Sequence, residues 1–148
     1  DYQTLDTLAD SYTPLLALAC LSWLLKGIYQ KQFSKVKVQG GFIVYALLVS
    51  YGFMAWDNQF HVWPALGLDY STHTAVAFSL VMSLCLLCRP LTKWWLTSLF
   101  MYGALMRYQN YHSYLDMLST ALVVSIFLAP VLVRMLKPSS MSASTQGS

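Results

Sequence analysis

The chain has 148 residues, of which 57% are apolar and 10% are charged, and its formal net charge is +3. Globular domains usually carry about 25% charged residues, so this chain has too few charges to cover a surface that faces water. The composition therefore excludes an ordinary soluble enzyme. Because the basic residues lie between apolar runs, they indicate membrane sidedness rather than nucleic-acid binding.

Five apolar runs follow one another along the chain. They cover approximately residues 12–29, 41–56, 71–88, 91–106 and 113–133. A helix of about 20 residues crosses the roughly 30 Å hydrocarbon layer, so the last run is long enough and the second and fourth must include flanking residues. The runs predict an all-α, polytopic membrane helix bundle of about five transmembrane helices. We expect one membrane-embedded domain over residues 1–137 and a disordered polar tail over residues 138–148.

The charges fall on two faces if these helices alternate in direction. One face receives most of the basic residues, namely Lys26, Lys31, Lys35, Lys37, Arg89, Lys93, Arg134 and Lys137. The other face receives the aspartates and a single base, Arg107. By the positive-inside rule the lysine-rich face is cytoplasmic. We therefore expect a bacterial inner (plasma) membrane protein whose other face is turned to the periplasm or exterior.

All three histidines, His61, His73 and His112, map to this second face. Ionisable residues at membrane depth are costly and are commonly functional. His73 follows Ser71 and Thr72 at the start of the third helix, where Ser71 is the predicted N-cap. The backbone N–H groups after an N-cap favour an anion, and His73 is positioned there to give a proton to a leaving group.

A second pattern, Arg107-x4-His112-x3-Asp116, precedes the last helix. Residues four apart lie on one helix face, so we expect Asp116 to accept a hydrogen bond from one imidazole nitrogen of His112. The other nitrogen is then free to act as a nucleophile or base. The planar guanidinium of Arg107 suits a phosphate group.

These segments resemble the motifs of the phosphatidic acid phosphatase type 2 superfamily of membrane lipid phosphatases and, more distantly, of sphingomyelin synthase. The family has P-S-G-H at the start of one helix, where this chain has Tyr70 to His73. It has S-R-x5-H-x3-D before its last helix, where this chain has Met106 to Asp116. The resemblance covers approximately residues 69–130.

The resemblance implies a metal-independent reaction without a cofactor, in which His112 forms a phosphohistidine and Asp116 orients it. His73 would protonate the leaving alcohol. Phosphate would be bound by three further residues, Arg107, Ser71 and Thr72. The substrate would be a lipid phosphate or diphosphate in the bilayer, and the oligomeric state stays open.

The chain also departs from the family. The family's K-x6-R-P element is expected around residues 49–61, where this chain has no lysine or arginine. The family has six spans, so the resemblance implies that a first span precedes Asp1. The missing basic element leaves a non-catalytic member of the same fold as an alternative. A metal or haem protein that uses His73, His112 and either His61 or Asp116 as ligands is another.

Overall fold

The computed structural model describes residues 2–137, and helices account for most of them. The helices are α1 (Tyr2–Tyr29), α2 (Phe33–Phe60), α3 (Val62–Ala65), α4 (Thr72–Leu87), α5 (Thr92–Tyr108) and α6 (Tyr114–Leu136). A 3-10 turn, Arg89–Leu91, joins α4 to α5. The described residues contain no strand, which confirms the predicted all-α class. The predicted tail over residues 138–148 lies outside the described residues.

Three helices, α1, α2 and α6, are long and apolar enough to cross a membrane. Helix α4 is also apolar but has 16 residues, and α5 has 17. Large apolar side chains point outward from the three long helices, for example Leu15, Leu48 and Leu122, which are each at least 60% exposed. An extensive exposed apolar surface is unusual for a protein dissolved in water. These features are consistent with a membrane protein.

Two helices begin earlier than the apolar runs predicted. Helix α1 begins at Tyr2 rather than near residue 12, and α2 begins at Phe33 rather than near residue 41. Hydropathy marks only the apolar part of a helix, whereas backbone hydrogen bonding continues through polar residues such as Lys35 and Lys37. The predicted loop over residues 57–70 is likewise partly helical, because α2 continues to Phe60 and α3 covers Val62–Ala65.

Helix α4 is the centre of the bundle, because α1, α2, α5 and α6 all pack against it. Small residues such as Ala75, Ala77 and Ser79 are fully buried along it. Small side chains let neighbouring helices approach closely in membrane bundles. The hydroxyl groups of Ser79 and Ser50 of α2 lie 2.9 Å apart and form one hydrogen bond between these helices.

The helix ends gather at two ends of the bundle. The starts of α1, α4 and α6 meet the ends of α2 and α5 at one end, which we call the histidine end because it carries His61, His73 and His112. The opposite end carries eight of the nine lysine and arginine residues, and we call it the basic end. The helix directions therefore separate the charges as the sequence predicted.

Candidate functional site at the histidine end

The segment between α5 and α6 carries His112 and is fixed against α1. The Asp6 carboxylate in α1 accepts a hydrogen bond from Gln109 Nε2 at 2.9 Å and another from Tyr111 Oη at 2.7 Å. Both bonds reach the same oxygen, Oδ1. A charged acceptor strengthens such bonds, so Asp6 holds the residues immediately before His112 in place.

Helix α6 begins with a capping box formed by Ser113 and Asp116. Ser113 Oγ accepts from the Asp116 N–H at 3.1 Å, and Asp116 Oδ2 accepts from the Ser113 N–H at 2.9 Å. This pair satisfies donors that the first turn of a helix leaves unpaired. Because the N-cap is Ser113, His112 lies just outside the helix. The prediction that His112 and Asp116 share a helix face is therefore wrong.

His112 and Asp116 are nevertheless close to each other. Nδ1 of His112 lies 3.7 Å from Oδ2 of Asp116, which is longer than an N–H···O hydrogen bond. This Nδ1 is buried and has no hydrogen-bond partner. Asp116 Oδ1 instead accepts from the Asp69 N–H at 3.0 Å. The carboxylate thus ties α6 to the loop before α4 while it faces the imidazole.

Ser71 joins the start of α4 to α6 beside this carboxylate. It is the N-cap of α4, as predicted, and its Oγ accepts from the Thr74 N–H at 3.2 Å. The Ser71 N–H donates to Thr120 Oγ1 of α6 at 3.0 Å. Ser71 is fully buried and its hydroxyl donates to Thr74 Oγ1, so the fold uses its polar atoms. Thr72, the first residue of α4, is half-buried.

His73 and His112 line one cavity of about 250 Å³. Its other walls come from α1, α5 and the segment before α6, namely Ala9, Asp10, Tyr102, Met106 and Tyr111. His73 is exposed and His112 is half-buried. Imidazole groups that share a water-accessible space can divide the roles of nucleophile and proton donor. The structure therefore brings together two candidates that are far apart in the sequence.

The other candidates do not line this cavity, namely Ser71, Thr72, Asp116, Arg107 and His61. Arg107 is exposed in the last turn of α5, where its Nη1 donates to Asn110 Oδ1 at 3.1 Å. Its guanidinium carbon lies 5.9 Å from the centre of the Tyr114 ring. His61 is exposed at the corner between α2 and α3, with a left-handed φ of 53°. Arg107 thus stands at the edge of the site, and His61 belongs to a turn.

The corner between α2 and α3 supports the site from the side. Asp57 Oδ1 accepts from the Trp63 N–H at 2.8 Å, and Trp63 Nε1 donates to Ser119 Oγ of α6 at 3.0 Å. Tyr70 Oη donates to the Ser50 carbonyl at 2.6 Å. Burial raises the pKa of the Tyr70 phenol far above its usual range, and the Asp57 charge raises it further. Tyr70 therefore remains a neutral donor.

An apolar groove opens next to the histidine cavity, between α4, α5 and α6. It has a volume of about 320 Å³, and Tyr102 and Met106 line both spaces. We call it the α5–α6 groove. Its lining includes Tyr114, beside Arg107, and continues along the helices to Leu99 and Leu118. Most of the lining residues are ordinary apolar residues of the helices, so nothing in the sequence distinguished this groove from lipid-facing surface.

Asp69, His112 and Asp116 form a group of candidate metal ligands. One ligand atom from each lies within 4.8 Å of the other two. The 3.7 Å separation of His112 Nδ1 and Asp116 Oδ2 is close to the spacing of two ligands that share a divalent ion at about 2.1 Å. Asp69 could not be recognised as a candidate ligand from the sequence, because no local pattern indicates that the loop before α4 contacts α6.

Comparisons of this chain with protein-family models, with curated proteins and with solved structures found no match. The resemblance to the phosphatidic acid phosphatase type 2 superfamily therefore depends on the motifs around His73 and His112 and stays a prediction. The geometry of these two histidines, of Asp116 and of the adjoining groove is what bears on function.

Proposed function

We propose that this chain is a lipid phosphatase or phosphotransferase related to the phosphatidic acid phosphatase type 2 superfamily. Helices α1, α2, α4, α5 and α6 would span a bacterial inner membrane, with the histidine end on the non-cytoplasmic side. The observation that carries the proposal is the cavity that His73 and His112 share where the starts of α4 and α6 are joined. The substrate is a lipid phosphate or diphosphate.

In this proposal His112 is the nucleophile. Its Nδ1 faces Asp116, so Nε2 attacks phosphorus and the bond from phosphorus to the leaving oxygen of the lipid breaks. His73 gives its proton to that oxygen. Water then attacks the phosphohistidine and releases phosphate, and the proton that water loses returns to His73. In a transferase, a second alcohol takes the place of water.

Asp116 is the orienting residue in this scheme. Hydrogen bonds from the N–H groups of Asp69 and Ser113 already fix its carboxylate. A small rotation of the His112 ring from the 3.7 Å separation brings Nδ1–H into hydrogen-bond range. The carboxylate then holds the tautomer that presents Nε2 and stabilises the positive charge that develops on the imidazole.

The α5–α6 groove supports a lipid as the substrate class. A phosphate beside His112 lies next to Tyr102 and Met106, which also line the groove. An acyl chain can therefore continue along α5 in an apolar environment without leaving the protein surface. Arg107 stands beside the groove residue Tyr114, where its planar guanidinium is available to a headgroup oxygen.

Phosphate release from a panel of lipid phosphates tests the reaction. We expect His112→Ala to abolish turnover and Asp116→Asn to reduce it by a large factor. His73→Ala should lose most activity on lipid phosphates and least on an aryl phosphate, whose leaving group is already acidic. His61→Ala is the matched control, because His61 lies outside the cavity lining, and it should keep parental turnover.

Two outcomes contradict this proposal. Near-parental turnover in His112→Ala would exclude a phosphohistidine on that residue. No release by the parent chain across the panel would favour the non-catalytic alternative within the same fold.

The lipid groove has its own test. A Cβ at Gly103 would lie 3.8 Å from Met117 Sδ, so Gly103→Leu fills part of the groove. We expect KM for a long-chain lipid phosphate to rise several-fold while kcat on a short aryl phosphate is unchanged. Gly41→Leu is the control, since a Cβ at Gly41 meets nothing within 4 Å. If Gly103→Leu changes the kinetics of both substrates equally, the acyl chain does not bind in the α5–α6 groove.

Sidedness is tested by single-cysteine labelling from outside, in a background that lacks Cys20, Cys85 and Cys88. We expect Asn110→Cys to be labelled and Lys31→Cys to be protected, because the lysine-rich face is the predicted cytoplasmic one. Labelling of Lys31→Cys and protection of Asn110→Cys would show that the histidine end faces the cytoplasm.

Metal binding is the second candidate function, and the grouping of Asp69, His112 and Asp116 favours it. Metal analysis of the purified chain and of Asp69→Asn separates the two candidates. Bound metal in the parent that is lost in Asp69→Asn supports a metal centre. Phosphate release that is unchanged by a chelator and by Asp69→Asn supports the phosphohistidine reaction, in which Asp69 contributes only its backbone N–H.

A further inference from the structure

Two neighbouring cavities open at the basic end of the bundle. The larger has a volume of about 580 Å³ and lies between the start of α2 and the ends of α4 and α6. The smaller has a volume of about 180 Å³ and lies between α1 and the start of α2. Lys35, Gln39 and Leu87 line both cavities. The two spaces therefore share a wall and can hold parts of one ligand.

Three cations line these cavities, namely Lys26, Lys35 and Arg89. Lys26 Nζ lies 4.7 Å from the centre of the Trp23 ring, which also lines the smaller cavity. Among the described residues, none of the three cations forms an ion pair with a carboxylate. The cavities thus concentrate positive charge without compensation, and such a concave surface attracts anions.

The described residues of the basic end include no carboxylate because of where the acidic residues lie in the sequence. Its acidic residues are Asp1, Asp6, Asp10, Asp57, Asp69 and Asp116. The described ones belong to the histidine end, at the starts of α1 and α6, at the end of α2 and in the loop before α4. An anion at the basic end therefore has to come from outside the described part of the chain.

The remaining walls of the larger cavity are mostly apolar. Val38, Leu86 and Met135 line it together with the hydrogen-bonding side chains of Ser34 and Gln39. Gln39 is only 9% exposed, and its amide can donate two hydrogen bonds. A small inorganic anion needs no apolar wall, whereas a lipid presents a charged headgroup and an acyl chain together.

We propose that the basic end binds the phosphate headgroup of an anionic membrane lipid. Lys35 and Arg89 contact the phosphate, Gln39 donates to its oxygens, and Val38 and Met135 pack against the first part of an acyl chain. Basic pockets between membrane helices are suited to such headgroups. This inference does not depend on the proposed reaction, because the site lies at the opposite end of α4 from His73 and shares no side chain with it.

Thermal unfolding of the whole chain in detergent, with added lipid, measures this binding. We expect phosphatidylglycerol to raise Tm, and phosphatidylcholine or inorganic phosphate to raise it little. Each basic residue near a membrane surface contributes about 1 kcal/mol to the attraction of anionic lipid. Lys35→Gln and Arg89→Gln should therefore each weaken phosphatidylglycerol binding about fivefold.

Lys37→Gln is the matched control. Lys37 lies on α2 two residues after Lys35, about 200° around the helix, and lines neither cavity. Lys37→Gln removes one positive charge, as Lys35→Gln does, and should leave phosphatidylglycerol binding close to the parental value. Val38→Trp is a complementary variant, which fills the larger cavity without changing charge and should abolish the Tm shift.

Equal losses of phosphatidylglycerol binding in Lys35→Gln and Lys37→Gln would mean that the basic surface attracts the lipid in general and that no specific site exists. An equal Tm shift from inorganic phosphate would make the ligand a free anion and overturn the lipid assignment. Without lipid, Lys35→Gln and Arg89→Gln should unfold at the parental temperature, because both side chains are exposed. Lys35→Gln and Arg89→Gln should also release phosphate at the parental rate. If the lipid-binding expectation fails, the reaction proposed at the histidine end can therefore still be tested separately.

Discussion

At the histidine end, polar groups of different helices bond to one another, whereas at the basic end they face open cavities. Asp116 accepts from the N–H groups of Asp69 and Ser113, and Asp6 accepts from two side chains before α6. Lys35 and Arg89 have no comparable carboxylate partner among the described residues. The first arrangement fixes atoms in place, and the second leaves charge available to a ligand.

This difference affects stability as well as function. Replacing a polar group at the histidine end leaves backbone donors unpaired, which is costly away from water. Replacing a cation at the basic end removes repulsion between like charges and leaves no donor or acceptor without its partner. We therefore expect substitutions at the two ends to have unequal effects on Tm.

Asp116→Ala should have the largest effect. It removes the acceptor of two backbone N–H groups and half of the capping box, and each unpaired N–H costs about 1–3 kcal/mol. Asp116→Asn should be milder, because its amide oxygen can keep one of these bonds. Arg134→Gln on the same helix is the control from the basic end. Thermal unfolding in detergent checks this order. A larger decrease in Tm for Arg134→Gln than for Asp116→Ala would contradict the expected difference between the two ends.

Gly27→Ala should be the exception at the basic end. A Cβ at Gly27 would lie 2.7 Å from Val36 Cγ2, so this glycine permits the close contact of α1 and α2. Overpacking of this kind costs about 1–3 kcal/mol. The double variant Gly27→Ala with Val36→Ala should recover most of the lost Tm. Gly40→Ala, where a Cβ meets nothing within 4 Å, should not lower it.

Tyr70→Phe should have a smaller effect on stability. It removes the 2.6 Å hydrogen bond to the Ser50 carbonyl, and a bond of this type contributes about 1 kcal/mol. Tyr29→Phe, at a residue that is 88% exposed, is the matched control and should leave Tm unchanged. If the two variants unfold at the same temperature, the bond between Tyr70 and α2 contributes nothing.

Asp10→Asn should change substrate affinity rather than stability. Asp10 lines the histidine cavity, and its negative charge opposes an anionic phosphate. Removing that charge should lower KM for a lipid phosphate several-fold, with little change in kcat. Steady-state kinetics at low salt give the clearest comparison, because salt screens the repulsion. A higher KM would mean that Asp10 binds the substrate instead of repelling it.

Much of the local structure could be predicted from the sequence. Apolar runs indicated the long helices, the Ser71 hydroxyl indicated the start of α4, and charge separated the two ends of the bundle. These features depend on residues that are close together in the chain. The same reasoning was wrong for His112, because Ser113 is the N-cap and α6 begins only at Tyr114. A spacing of four residues alone does not say where a helix starts.

The sequence by itself determined that the chain forms apolar helices and carries eight of its nine lysine and arginine residues at one end and its histidines at the other. Only the tertiary structure decided that α4 is central, that His73 and His112 share a cavity, that Asp69 approaches Asp116, and that Arg107 is not part of the cavity lining. The reason is that lipid accepts the same apolar side chains as a protein core. In α1, Leu15 is 60% exposed and Leu16 is 4% exposed, yet both are leucine, so composition does not indicate which face of a helix packs against its neighbours.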